Sequence, residues 1–277
     1  MQSPDPRLRL IALLMMAVSL VAGLATSASA KYCGDNAGGV RVPCACGDTV
    51  TSDTRLQPSD PVVNERCPLD GLMVAPPMLA DSITIDLNGL TISGAPYGIG
   101  IRVLGGGSSG AIVLGCGAQR DHAEIIGFRT GIESRLFGSV ARIENVEVRG
   151  ARRHGLWLRG RGVLLSHVTA SSNGGDGIYL AGQGGRLVGV IAFGNAGNGV
   201  TVLADASVIE VDAEHNGKHG VLARGRNPAF GEVRTIANGA AGVVASNVIE
   251  SATPSRIVSE GNGRDDRIRK RGTGKRP

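Results

Sequence analysis

The chain has 277 residues, a formal net charge of +5, 43 glycines and only 3% aromatic residues. Few aromatics and many glycines exclude a globular core built on large side chains and demand small aliphatics packed in regular layers. The basic balance does not mark a nucleic-acid binder: Arg264 to Pro277 holds seven basic and two acidic residues, and residues 31–263 carry a net charge of −1.

Residues 1–30 read as a signal peptide. Arg7 and Arg9 precede an apolar stretch from Leu10 to Ala25, and Ala28-Ser29-Ala30 supplies small residues before Lys31. An uncleaved anchor is the competing reading, but the apolar run is short for a span and Ser19 interrupts it. No later stretch is long and apolar enough to cross a membrane. The expectation is an exported, monomeric protein, secreted or periplasmic.

Residues 31–80 read as an N-terminal cap. Cys33, Cys44, Cys46 and Cys67 fall within 35 residues there, and an exported location permits disulfides. Of three possible pairings, Cys46–Cys67 with Cys33–Cys44 is favoured. Metal binding is the weaker alternative, because Cys44-x-Cys46 lacks a second such pair and no histidine is near. No metal site is expected elsewhere. Cys116 is left over and reads as a small buried hydrophobe.

Residues 81–263 carry a repeat. A glycine followed by an aliphatic recurs at Gly131-Ile132, Gly155-Leu156, Gly177-Ile178, Gly199-Val200, Gly220-Val221 and Gly242-Val243, with spacings of 24, 22, 22, 21 and 22. Four residues before the last four glycines stand Asn173, Asn195, Asn216 and Asn238, and Asn262 continues the series. So short a fixed period marks stacked repeats that share one core. After each glycine the first and third positions are mostly apolar and the second is mixed, the period-2 pattern of a strand with one face inward. A second strand ends before each asparagine, with Val168, Val190, Val211 and Val233 inward. The Asn-to-Gly segments read as tight turns, and stacked asparagines can hydrogen-bond coil to coil. Each repeat is thus one coil of two or three short strands, rising about 4.8 Å. Residues 264–277 read as a disordered basic tail too polar to cover the last coil.

The segment Ile83-Thr84-Ile85-Asp86-Leu87-Asn88-Gly89-Leu90-Thr91-Ile92-Ser93-Gly94 and the Asn-Gly-x-x-Gly-Ile/Val repeats resemble the secreted right-handed parallel β-helix proteins of the pectate-lyase-like superfamily. Cys46-Gly-Asp-Thr-Val and Cys67 resemble the cysteine-containing cap of bacterial members. The resemblance implies an all-β, single-stranded right-handed parallel β-helix of roughly eight coils. It also implies a site on an exposed sheet face, acting on or binding polysaccharide. It does not select an activity, because this scaffold carries lyases, hydrolases, epimerases, adhesins and accessory proteins. Family enzyme signatures are not met here. Arg153-His154-Gly155 and Lys218-His219-Gly220 lack paired aspartates on the coils, and Arg120-Asp121-His122-Ala123 departs from the epimerase-like Asp-Pro-His-Asp.

Two groups of residues are candidate sites. Glu210, Asp212 and Glu214 alternate outward around Val211 and Ala213, with Glu232 beside Glu210 and Arg234 beside Asp212 on the next coil. Paired carboxylates can serve acid/base glycoside chemistry, or hold Ca²⁺ if the protein is a lyase. A solvated face with an Asp212–Arg234 pair is the alternative. The second group is the row His154, Asp176, Asn198 and His219, with Trp157 and Tyr179 stacked nearby. Flat aromatics suit sugar rings and the polar row suits hydroxyls; a turn ladder is the alternative. His122 and His167 read as isolated. The expected function is an exported scaffold that binds extended polysaccharide or a cell-envelope component, with no resident cofactor and no nucleic-acid partner. A carbohydrate-active enzyme is the runner-up. A periplasmic accessory protein for metal insertion ranks last, because His and Met are sparse.

Overall fold

The computed structural model describes residues 31–75, 82–104, 110–116, 122–134, 141–203, 205–225, 227–248 and 256–270. The signal peptide read over 1–30 lies outside the described residues. From Lys31 the chain winds as a parallel β-solenoid whose coils each present three strand-bearing faces. The first face follows the repeat glycines and includes Leu156–Arg161, Val200–Val202, Val221–Ala223 and Val243–Val248. The second includes Ala141–Glu144, Leu164–Ser166 and Ala229–Phe230. The third includes Val146–Arg149, Thr169–Ser171, Glu232–Ile236 and Arg256–Glu260. The sequence reading recovers the first and third faces. The second escapes it because its strands are short and carry no glycine or asparagine landmark. Ile178–Phe193 is one 16-residue strand that bends through all three faces.

Strands pair in parallel with their equivalents on adjacent coils. Leu156, Ile178, Val200, Val221 and Val243 stand in register and are fully buried. Ala170, Ala192 and Ala213 form a second buried column. The core is a set of such aliphatic columns, as the composition demands. Phe128, the largest side chain with no exposure, fits because Gly94 leaves room: a Cβ there would lie 2.0 Å from its ring.

Corners are set by single left-handed residues. Between the second and third faces these are Asn145 (φ 55°), His167 (φ 52°), Gly189 (φ 63°) and Glu210 (φ 52°). After the third face they are Gly150 (φ 65°), Ser172 (φ 54°), Gly194 (φ 64°), His215 (φ 53°) and Ala237 (φ 51°). The last four of these immediately precede the repeat asparagines, so the asparagines are not themselves the left-handed residues. They turn inward instead, with Asn173, Asn195, Asn216 and Asn238 at most 2% exposed. The Nδ2 group of Asn173 donates to Oδ1 of Asn195 at 2.8 Å, and the same step recurs from Asn195 to Asn216, Asn216 to Asn238 and Asn238 to Asn262 at 2.9 Å each. The ladder explains the glycine period. A Cβ on Gly177 would lie 2.7 Å from Nδ2 of Asn195 and 2.8 Å from the Gly199 carbonyl, and Gly199 is confined in the same way by Asn216 and Gly220. Close approach, not positive φ, demands glycine here.

The solenoid extends beyond both boundaries read from the sequence. Asp48–Val50 pairs with Leu72–Val74, which pairs with Ile99–Val103, so rungs begin inside the segment read as a cap. At the other end Arg267–Lys270, read as part of a disordered tail, pairs with Val243–Val248 as a further rung. Its period-2 signal, Ile268 between Arg267 and Arg269, was hidden by charge at the outward positions. Nine described strands stack on the third face, from Arg66–Cys67 to Arg256–Glu260, against the eight coils expected. One coil is shorter, and its pairing slips between Gln183 and Gly185, bulging Gly184 (φ 70°) at a corner.

Two disulfides, Cys33–Cys44 and Cys46–Cys67, join the first turns with Cα separations of 5.1 and 5.3 Å. Beside them Asp60, fully buried, accepts from Arg41 Nη2 at 2.8 Å, the Cys44 amide at 3.2 Å and the Gln57 amide at 2.8 Å. Cys116 is exposed, not buried as its leftover status suggested, because it stands past the end of Gly110–Leu114. Among the described residues no helix is long and apolar enough to cross a membrane.

Candidate functional site

Outward positions of the first face form straight rows along the axis. The second position after each glycine runs Arg102, Glu133, Trp157, Tyr179, Thr201, Leu222 and Val244, each paired with the next, and Arg267 continues the row by pairing with Val244. Strand alternation places this row on the outer side of the strands, where Trp157 and Tyr179 are half-exposed. Their ring centroids lie 6.3 Å apart, tilted by 55°. The guanidinium of Arg159 sits 5.2 Å from the Trp157 ring centre, a cation–π distance, and the His154 ring lies 5.7 Å from Tyr179. Trp157, Tyr179 and His154 line a groove of about 210 Å³ with Arg129, Thr130, Glu133 and Arg153.

The structure therefore brings Trp157, Tyr179 and His154 together. Glu133, 2% exposed, is a groove residue that sequence reasoning passed over, with Arg129, Thr130 and Arg153. A signal for it existed, since it fills the second-position row between Arg102 and Trp157.

Asp176 and His219 have a different setting. Each side chain of the turn row accepts a main-chain N–H from the next coil. His154 Nδ1 accepts from Asp176 at 3.2 Å, Asp176 Oδ1 from Asn198 at 2.8 Å, Asn198 Oδ1 from His219 at 3.0 Å and His219 Nδ1 from Ala241 at 3.2 Å. His, Asp and Asn share an acceptor atom at the same reach from Cβ, which is why these types alternate there. The second oxygen of Asp176 accepts from the Thr201 hydroxyl at 2.8 Å. This row is a second polar ladder, and only its His154 end reaches the groove.

Electrostatics fit that ladder. Burial holds His154 below its ordinary value of 6.5, Asp176 acts in the opposite direction, and Arg153 adds to the depression. His219 is lowered first by burial; its bond to Ala241 raises it, and Arg224, Arg264 and Arg267 lower it further. With Nδ1 accepting, a neutral His154 carries its proton on Nε2.

The carboxylate group occupies a separate groove of about 380 Å³, lined by Gly189, Val190, Ile191, Glu210, Val211, Asp212, Glu232 and Arg234. Glu210, Asp212 and Glu232 share it. Glu214 does not line it, and is bound to Arg234. The pair expected between Asp212 and Arg234 is thus an Arg234–Glu214 pair: Asp212 and Arg234 are register partners, but the guanidinium reaches along the strand. Glu210 is exposed by its corner conformation, not by simple alternation.

His122, read as isolated, lies with Nε2 3.4 Å from Glu147 Oε2. Ligand atoms of His122, Glu124 and Glu147 fall within 4.8 Å of one another, an arrangement that distant sequence positions concealed. Arg149 reaches Glu124 at 3.3 Å and the Ser171 hydroxyl reaches Glu147 at 3.1 Å, so both carboxylates already have counter-groups.

No curated protein matches the sequence significantly. Among solved structures, the chain is similar to tailspike protein 2 of Escherichia coli O157:H7 bacteriophage CAB120, at 12% identity and a TM-score of 0.41, covering 87% of this chain and 38% of that one. It is similar to the A-module of the Azotobacter vinelandii mannuronan C-5 epimerase AlgE4, at 17% identity and a TM-score of 0.37, covering 73% and 65%. It is also similar to the Agl-KA catalytic domain, at 12% identity and a TM-score of 0.38, covering 83% and 42%. The chain spans less than two thirds of the length of each of these proteins. Residues 130–262 match the family described as the right handed beta helix region. That match falls within a ladder of parallel coils, and the fold of the chain is an all-β parallel β-solenoid.

Proposed function

We propose that the protein binds an extended polysaccharide along the first face, with Trp157 and Tyr179 as the surface on which sugar rings stack. The groove joining these two rings to His154, Arg153 and the buried Glu133 supports this reading most directly. Two half-exposed rings offset along the axis suit the apolar faces of successive sugars. Guanidinium N–H groups and the His154 Nε2 proton suit hydroxyls. A cell-envelope or surface polymer is the partner, and the two disulfides fit an oxidising compartment outside the cytosol.

A second reading, a lyase, hydrolase or epimerase, is favoured by one observation. Glu210 holds a left-handed conformation, which costs roughly 1 kcal/mol, at the rim of a groove it shares with Asp212 and Glu232. These oxygen donors are the type that Ca²⁺ takes, though Arg234 in the same groove opposes a cation there.

Proton NMR of acidic and neutral polysaccharides with the purified protein separates the readings. Broadening of sugar lines that disappears in Tyr179→Ala supports binding on the first face. New anomeric signals that grow with time, and vanish in Asp212→Asn, transfer the function to the carboxylate groove. Sharp, unchanged lines across the panel defeat both.

A further inference from the structure

Among the described residues the outward rows of the first face finish in arginine. Arg267 ends the row that contains Trp157 and Tyr179. Arg269 follows it on the same strand, with Ile268 between them paired to Ala245. Arg224 stands two rungs back, directly after Ala223, which also pairs with Ala245. Two rungs are about 10 Å, within which three long side chains can converge. Arg224, Arg267 and Arg269 line one groove of about 290 Å³ with Val244 and Ser246. All three are exposed, and among the described residues no carboxylate forms a salt bridge with them. The nearest acid by sequence, Asp266, accepts the Val243 amide at 2.8 Å and the Ser259 hydroxyl at 3.0 Å, so it is committed to the fold. Like charges gathered without counter-ions destabilise a surface unless something anionic joins them. Burial is the chief cause of the depression of His219, and Arg224, Arg264 and Arg267 add to it.

Between the aromatic and arginine ends the row is Thr201, Leu222 and Val244, a low floor with no charge. Trp157 and Arg267 are five rungs apart, or about 24 Å along the axis.

We infer that Arg224, Arg267 and Arg269 form an anion-binding subsite that takes carboxylate or sulfate groups of a glycan lying along the solenoid axis. One end of that glycan stacks on Trp157 and Tyr179. This deepens the polysaccharide reading and rests on it for the nature of the polymer. Guanidinium forks bind planar carboxylates and tetrahedral oxyanions through paired N–H donors, which a lysine does not reproduce. A span of 24 Å requires an oligomer, not a monosaccharide, and gives the bound chain a direction.

The test is calorimetric titration of the purified protein at low and high salt. The probes are an oligogalacturonate, a sulfated heparin-derived oligosaccharide, a neutral cello-oligosaccharide of equal length, and polyphosphate. Emission from Trp157, the one tryptophan in the chain, gives a second readout at the aromatic end. The expected result is salt-sensitive binding of an acidic oligosaccharide, weakened roughly tenfold in Arg267→Gln/Arg269→Gln. Neutral-oligomer affinity should stay unchanged, and Arg267→Lys/Arg269→Lys should fall between. Preference between the galacturonate and the heparin fragment assigns the anion as carboxylate or sulfate. Acidic affinity equal in wild type and variant, or an equal loss for the neutral oligomer, overturns the subsite while leaving the polysaccharide reading intact. Arginine-dependent binding of polyphosphate with no glycan binding keeps the anion site and overturns the glycan. Absence of all binding overturns both.

Discussion

The main-chain N–H and the side-chain Nδ2 of Asn195 converge on one atom, Oδ1 of Asn216, at 3.1 and 2.9 Å. Its own Oδ1 receives the same two bonds from Asn173, and its Nδ2 also reaches the Ala170 carbonyl at 2.9 Å. Nearly every hydrogen-bonding group of this buried side chain is used. Asn195→Ala leaves both Asn173 donors and the Ala170 carbonyl short of a partner, so a loss of about 3 kcal/mol is expected in denaturant unfolding. Asn262→Ala, at the partly exposed end of the ladder, should cost about 1 kcal/mol. Equal losses at the two sites would show that the ladder is not the source of the stability.

Gly199 is the steric counterpart of that ladder. A methyl group on it would meet Asn216 Nδ2 and the Gly220 carbonyl, each at 2.7 Å. Gly199→Ala should therefore destabilise by roughly 2 kcal/mol or more even though the site is a strand start and not a left-handed turn. Gly162, with φ +63° and open space around it, makes the comparison: alanine there pays only for conformation, about 1 kcal/mol. Thermal melts of the two variants should rank in that order.

Reduction of the two disulfides tests how the N-terminal turns are held. They close loops with sequence separations of 11 and 21, for which chain-entropy arguments give about 3 kcal/mol each. Hydrogen exchange under reducing conditions should quicken over residues 31–75 while amides of the Asn ladder stay protected, because a solenoid's coils depend only on their neighbours. Uniform acceleration along the chain would refute that local behaviour.

His154 supplies a pH dependence whose sign follows from its setting. Its folded value is lowered below the ordinary 6.5, so the unfolded chain binds a proton first as pH falls. Stability from the neutral ring is thus complete above about 6.5 and is lost as pH falls from there through the depressed folded value. His154→Asn keeps an acceptor for the Asp176 amide, as Asn198 does for His219 on a later coil, and removes the titration. The variant should show a flatter stability profile between pH 7 and 5. An unchanged profile would assign the acid sensitivity elsewhere.

The glycine and asparagine periods were legible in the sequence because each marks a position where only one residue type fits. Two of three faces could be read from them. The corner residues were not legible, since Asn145, His167, Gly189 and Glu210 share a conformation but not a chemistry. The last rung was hidden for a similar reason: Arg267 and Arg269 read as a solvated tail until Ile268 is seen paired with Ala245. Trp157 and Tyr179 followed from alignment of the coils. Glu133 did not, because a charged residue at an outward strand position reads as solvated and not as 2% exposed, and the meeting of His122 with Glu147 depends on a register that spacing alone does not give.

The slip at Gly184 shows where this architecture tolerates a change of length. A residue gained or lost at a corner is absorbed locally, whereas one gained inside a strand would reverse which side chains face the interior. The molecule can therefore be edited in whole units. A copy of residues 200–220 inserted after Gly220 would continue both polar ladders and all three faces, and would move the arginines one step, about 4.8 Å, farther from Trp157 and Tyr179. The protein then serves as a ruler, and the shortest ligand able to touch both ends should lengthen with every coil added.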